Sequence, residues 1–300
     1  MGAERRRQGL RRRFDRAAPR YEAAAALDAE IARRMLERLD LMRVEPRRVL
    51  DVGAGTGRDQ RALRARYPRA LVVAADHSPG MLREARRAGG VLARLLGRVA
   101  PVVAADAGQL PFAGATFDFL WSNLLLPWVE DPLPVVLEWS RVVRPEGLLM
   151  FSAFGPDTLR ELAAAGAEAG GRRMRAFADM HDLGDALVEA GFANPVMDAE
   201  RLSLSYTDAR ACLADLRAVA LTAGGEKQGV SQVGLGAKAR LRALEAALEG
   251  QRRDGRLTMS FEIVFGHAWR GLPTRTREGH AIVRADFGIP RANRQDSARN

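Results

Sequence analysis

The chain has 300 residues, 47% of them hydrophobic and 28% charged, a composition and length within the range of a globular protein with a substantial core. No stretch approaches the roughly 18 apolar residues of a membrane span, no secretory cleavage pattern is expected after the basic start, and the lone Cys212 excludes an internal disulfide or a multi-cysteine zinc site and fits a reducing, cytoplasmic compartment. The formal charge of +10 is nearly all arginine, with Lys227 and Lys238 the only lysines and no zinc-finger or aromatic-glycine RNA signature beside them, so no nucleic-acid partner is expected from charge alone.

Residues 1–13, MGAERRRQGLRRR, lack a clear apolar face and read as a flexible basic end. Residues 14–43 read as helix, with Leu27, Ile31, Met35, Leu36 and Leu39 recurring every three or four positions until Pro46. Short apolar runs follow: RRVLDV, ALVVAAD, VAPVVAAD, TFDFLWSN and GLLMFSAF. Each is apolar on both faces, the pattern of central parallel strands covered by helices, and right-handed crossovers then give an open, doubly wound α/β sheet. GPDTLRELAAAGAEAG has a proline and an acid where a helix would start, and HDLGDALVEAGF reads as a helix closed by Gly191. NPVMDAERLSLSY and LTMSFEIVFGHAWRG are strand-like. Between them, residues 207–250 read as two helical stretches around the glycine-rich TAGGEKQGVSQVGLG. The Arg-rich tail, residues 273–300, is predicted to be disordered, which leaves 14–272 as one domain.

The stretch VLDVGAGTG, Val49–Gly57, puts three glycines at the carboxyl end of a strand, where open α/β sheets bind ligands against bare backbone. The dinucleotide fingerprint is G-x-G-x-x-G; here the third glycine comes one residue early, giving Asp51-x-Gly53-Ala54-Gly55-x-Gly57. That spacing resembles motif I of class I S-adenosylmethionine-dependent methyltransferases. The resemblance implies a Rossmann-like, mostly parallel seven-stranded sheet with helical insertions over the substrate, and S-adenosyl-L-methionine as cofactor. Asp51 would accept from the cofactor's amino group, and Gly53, Ala54, Gly55 and Gly57 would face its methionine part. Asp76, ending the second strand, would take the ribose hydroxyls, with His77 and Met81 beside it; Asp106 and Ala107 would meet the adenine, and Asn123 closes the fourth strand. A strand-end aspartate can also be a helix cap, although Ser78-Pro79 is itself a helix start. Leu110-Pro-Phe and Phe117-Asp118 continue the resemblance, with Asp118 placed beside the sheet in a structural role.

Two longer segments narrow the resemblance. FDRAAPRYEAAAALDAEIARRMLERL (14–39) and SNLLLPWVEDPLPVVLEWSRVVRPEGLLMFSAFGPDTLREL (122–162) resemble malonyl-acyl-carrier-protein O-methyltransferases, which open pimelate synthesis for biotin. Pro127 departs from that family's commoner glutamine, and residues 224–235 and the tail look additional. The resemblance implies an acidic, malonyl-bearing acyl-carrier protein as partner. Its carboxylate is ionised at neutral pH, with a reference pKa near ~4, so positioning can replace a general base. His77, His181, His267 and His280 are scattered, and no metal cluster is visible. Tyr21, Trp128 and Arg160 are the candidates around the acceptor. Tyr21 and Trp128 have core packing as the alternative, and Arg160 has a bridge to Glu161. Three other readings remain open at this point: an arginine hydroxylase like the complex I assembly factors that share FG-x-DTL-x-EL, a methyltransferase of a quinone or small metabolite, and a cofactor-binding scaffold.

Overall fold

The five apolar runs pair side by side as parallel strands: β1 (Arg48–Val52), β2 (Leu71–Asp76), β3 (Val102–Ala104), β4 (Phe117–Ser122) and β5 (Val143–Phe154). Two longer strands complete the sheet, β6 (Phe192–Tyr206) and β7 (Leu257–Arg270), in the order β3-β2-β1-β4-β5-β7-β6. β7 runs antiparallel to both of its neighbours. The edge strand β6 alternates between half-buried and exposed positions, whereas β1 and β4 are buried almost throughout. That difference is what separates a half-solvated edge from a sheet centre covered on both faces. The structure, a computed structural model, describes residues 2–89, 100–170, 177–219 and 237–272. The glycine-rich stretch 222–236 and the 273–300 tail lie outside the described residues.

One face of the sheet packs on α3 (Ala26–Leu39), whose Ile31, Met35 and Leu39 meet Val49, Phe119 and Trp121 with no exposed surface. The other face packs on α6 (Pro132–Val142) and α8 (Met180–Glu189), where Trp139 and Leu187 join Leu50, Leu120 and Phe151. Burying each such side chain contributes about 1.5–3 kcal/mol, so these two layers fix where the strand ends point. Between the strands lie α4 (Arg58–Arg66) and α5 (Pro79–Ala88); Ser78 caps α5 by accepting from Met81 N at 3.1 Å. Asp131 and Asp179 cap α6 and α8 in the same way, and Gly191, at φ +81°, closes α8 as expected. The two helices α9 (Ala209–Ala218) and α10 (Ala237–Gly250) flank the undescribed glycine-rich stretch. Cys212, on α9, is fully buried and its thiol is pushed up to about 12 by burial, so it is inert packing. No described helix is long and apolar enough to cross a membrane.

Three local expectations differ from the structure. The basic start is not frayed: Gly2–Ala17 form helix α1. Residues 14–43 are not one helix either. Pro19 sits in a 3-10 turn (Ala18–Arg20), followed by the single-turn α2 (Tyr21–Ala24) and a break at Ala25 before α3. The proline of GPDTLREL does not start a helix; α7 begins only at Arg160 (Arg160–Glu168). Gly155–Thr158 instead form a turn gripped by β7. Gly155 N donates to Glu262 O at 2.9 Å, Asp157 N to Glu262 Oε2 at 2.8 Å, and Thr158 Oγ1 to Glu262 O at 3.0 Å. A Cβ on Gly155 would lie 2.5 Å from that carboxylate, which explains the glycine. Asp118 is structural, as expected: its Oδ2 accepts from the backbone N of Arg47 and Arg48, and Oδ1 pairs with Arg144.

Candidate active site

The loop after β1 divides two tasks among its three glycines. Gly53, Gly55 and Gly57 all have positive φ, at 75°, 53° and 76°, a region other residues enter only with strain. A Cβ on Gly53 would lie 2.6 Å from Leu125 Cδ1, and one on Gly57 would lie 2.9 Å from Ala85 Cβ, so both glycines permit packing against other elements. A Cβ on Gly55 would meet nothing within 4 Å. Gly55 is therefore the point where the chain presents bare backbone to open space. The loop is pinned from behind: Gly53 N and Ala54 N donate to Ala75 O at 2.8 and 3.2 Å, and Gly55 N donates to Asp76 Oδ2 at 2.9 Å.

Asp51 ends this strand 1% exposed, and its Oδ2 has no hydrogen-bond partner among the described residues. Burial lifts its pKa well above the ordinary carboxylate value, and Asp59 and Asp76 push it the same way. Asp59 is also buried and raised, although its Oδ2 accepts from Trp121 Nε1 at 2.9 Å. Asp76 is raised by burial against the opposing bonds from Ser78 N (2.7 Å) and Gly55 N. Asp28 is raised by burial too, and its Oδ2 accepts from Tyr21 Oη at 2.6 Å. Four carboxyl groups thus crowd one end of the sheet. The nearby guanidinium of Arg58 is spent on the carbonyls of Ala25 and Glu22. Such a cluster is short of positive charge, since buried carboxylates are stable only when paired. A cofactor carrying an ammonium and a sulfonium fits these residues: the orphaned Asp51 oxygen matches the first, and the open backbone at Gly55 leaves room for its chain.

The helices before β1 cover this end. α2 is tied to the loop through Glu22, whose Oε1 accepts from Thr56 Oγ1 at 2.9 Å and Arg61 at 2.6 Å. α1 reaches α5, where Asp15 Oδ1 accepts from Ser78 Oγ and Gly80 N, each at 2.7 Å. Burial opposes ionisation of Asp15, but those bonds outweigh it and hold its carboxyl below the usual range. Phe14 stands edge-on to Trp128 at 5.2 Å and tilts against Tyr21 at 6.3 Å. An aromatic wall of Tyr21, Phe14 and Trp128 therefore rises beside the acidic cluster, and burial, together with Asp28, pushes the Tyr21 phenol well above its normal pKa.

Several expected residues do converge here. Asn123 links the halves: its Nδ2 donates to Asp28 O at 3.1 Å and its Oδ1 accepts from Ser152 Oγ at 2.7 Å. Asp106 lies at the end of β3 with Ala107, its Oδ1 accepting from Gly108 N at 2.8 Å and Oδ2 standing 3.6 Å from Arg7. His77 is half-buried beside Asp76, whereas Met81 is 1% exposed inside α5. Asp76 is not a helix cap; Ser78 has that task, and Asp76 locks the two loops together. Arg160 stands apart: it pairs with Glu161 at 3.1 Å and its side chain is 59% exposed, the bland alternative for this residue. Glu161 in turn anchors Ser260, through bonds from its N and Oγ. Asp28, Asp59, Phe14 and Asp15 were missed as site residues. Phe14 and Asp15 lie in the FD-x-x-A-x-x-Y segment and Asp59 two residues past Gly57, so the motifs bordered them. Asp28 has no local signal.

The chain matches the methyltransferase domain family over residues 50–151, the segment from β1 to β5. It is similar to the protein named malonyl-[acyl-carrier protein] O-methyltransferase of Laribacter hongkongensis, at 47% identity over 266 residues, 87% of this chain and 88% of the relative. It is 44% identical over 288 residues to the protein of the same name from Gallionella capsiferriformans, covering 94% and 97%. Among solved structures, the YcgJ protein of Bacillus subtilis superposes with a TM-score of 0.57 at 15% identity, over 82% of this chain and 100% of that one. A SAM-dependent methyltransferase of Thermotoga maritima superposes with 0.51 at 17%, over 87% and 99%. The structural likenesses bear on the fold, which is that of class I methyltransferases.

Proposed function

The chain belongs to the malonyl-[acyl-carrier protein] O-methyltransferase family, and from that premise we propose that it methylates the free carboxylate of a malonyl thioester held on an acyl-carrier protein, with S-adenosyl-L-methionine as methyl donor. The observation that carries the donor half is the unpartnered Oδ2 of the buried Asp51, among Asp28, Asp59 and Asp76. When bound, the cofactor supplies a methyl group on a sulfonium centre. Asp51 would hold its ammonium, Gly55 would lie beneath its amino-acid chain, and Asp76 and Asp106 would face its ribose and adenine. The acids also keep the surroundings of the sulfonium negative, which favours a cation in a buried site.

The acceptor's carboxylate would be the nucleophile, and the bound cofactor would supply the methyl group and a neutral sulfur leaving group, so the chain's residues have only to hold the two in line. No proton moves, because the acceptor is already ionised near pH 7. The protein's tasks are therefore alignment and exclusion of water, which together can lower a barrier by roughly 7–11 kcal/mol. Trp128 and Phe14 wall the acceptor from solvent in this reading. Tyr21, its hydroxyl held by Asp28, would add its ring to that wall. Arg160, exposed and paired with Glu161, is given no role in this reading.

Labelled S-adenosylmethionine incubated with malonyl-acyl-carrier protein is expected to give a base-labile methyl ester. Absence of label with cofactor bound and acceptor saturating would overturn the acceptor assignment.

A further inference from the structure

Helix α1 has two unlike faces. Its inner face spans the ends of three strands: Asp15 bonds Ser78 and Gly80 beyond β2, Arg7 approaches Asp106 beyond β3, and Arg6 bonds Glu130 and Phe14 packs on Trp128 beyond β4. The helix thus frames the mouth of the site. Its outer face carries arginine. At 3.6 residues per turn, positions 5, 12 and 16 fall within about 40° of one another, away from Phe14, and Arg5, Arg12 and Arg16 are all exposed. Arg5 and Arg12 make no ion pair among the described residues, and residues 4–20 hold eight arginines against Glu4 and Asp15. Exposed Arg83 and Arg86 on the adjoining α5 extend the same charge. Gathering like charges on one helix face destabilises the helix, and the inner ties do not relieve the outer stripe. An acidic partner would.

We propose that the outer face of α1, with Arg5, Arg12 and Arg16, docks the acidic surface of the carrier protein that brings the acceptor. This rests on the function proposed above. A protein that delivers its substrate on a tethered arm has to sit at the rim of the site, and α1 is the rim. Because the same helix holds Phe14 and Asp15 in place, docking bears directly on the element that covers the reacting groups. Charge complementarity of this kind raises the rate of encounter and makes it salt-sensitive.

The test compares two acceptors in the full chain: malonyl-carrier protein and the malonyl thioester of a small thiol. The double variant Arg5→Glu/Arg12→Glu is expected to raise KM for the carrier protein by about tenfold or more, while KM and kcat on the small thioester stay within about twofold. The small acceptor also reports that the variant is folded. Arg5→Lys/Arg12→Lys should keep most of the wild-type KM, and added salt should move the wild type toward the Glu variant. Equal loss on both acceptors, or no loss on the carrier protein, would overturn the docking surface. If the wild type methylates the small thioester and not the carrier protein, the proposed function itself fails.

Discussion

The two halves of the site are built by different means. The donor half is centred on consecutive residues, one strand end and a loop with three glycines, stiffened by bonds to β2, with single carboxyl groups from α3, α4 and β2 around them. The acceptor half is assembled from distant pieces, with Phe14 and Tyr21 before the sheet meeting Trp128 after β4. The first is acidic and short of a cation; the second is aromatic and held by edge contacts. A loop whose backbone must adopt positive φ tolerates almost no change, whereas an aromatic wall resting on α1 and α2 can be retuned without disturbing the sheet. This fits a fold that keeps one cofactor while its acceptors vary.

The largest effects should separate the glycines from one another. Gly57→Ala places a Cβ against Ala85 of α5, which has no flexible end to move aside, so denaturation should report a loss of about 2–4 kcal/mol. Gly55→Leu meets open space in the protein and would fill the place proposed for the cofactor. It should cost only ~1 kcal/mol of stability and weaken cofactor binding by roughly a hundredfold or more in calorimetry. If the two variants behaved alike, the division of labour in the loop would be wrong.

Next comes Asp51→Asn. Removing a charge-assisted bond to the cofactor's ammonium should cost affinity by about tenfold to a hundredfold, while the cofactor-free protein becomes more stable, since a buried acid beside Asp59 and Asp76 is lost. The pH dependence follows from the raised pKa values of Asp51, Asp59, Asp76 and Asp28. Above the ordinary value near ~3.9, the unfolded chain has released protons that the native state retains, so the unbound protein should lose stability as pH rises through the folded-state values. A bound cation favours the ionised forms. Thermal shifts produced by the cofactor should therefore grow as pH rises from acid to neutral.

On the acceptor side the effects should be smaller and fall mainly on the acceptor. Tyr21→Phe removes the bond to Asp28 and loosens the ring in the proposed acceptor wall, so kcat/KM for the malonyl substrate should fall by about tenfold, with a smaller change in cofactor affinity in the same calorimeter. Arg160→Ala should do least: an exposed pair with Glu161 is worth under about 0.5 kcal/mol, and steady-state rates should stay within about twofold. A large loss of activity there would place an acceptor contact on α7 that the observed geometry lacks.

The same contrast explains what could be read from the chain alone. The strands, and the positions of the glycine loop, Asp76, Asp106 and Asn123 at or just past strand ends, are legible because each owes its place to a local pattern. Helix α1 was not: it has few apolar residues, and its position depends on Asp15 reaching Ser78 and Phe14 reaching Trp128. The GPDT turn was misread as a helix start because its partner, Glu262, lies about a hundred residues further on. Asp28 and Asp59 stand in no motif, and only the folded packing shows Asp59 buried and Asp28 half-buried beside the glycine loop's end of the sheet.

The central claim is that buried carboxyl groups around Asp51 wait for a cation laid over Gly55. Calorimetric titration of S-adenosylmethionine in buffers of differing ionisation enthalpy tests it most directly. Binding should release protons at pH values above the ordinary carboxylate range in the wild type, and fewer in Asp51→Asn. Binding with no proton release, or release unchanged in the variant, would contradict it.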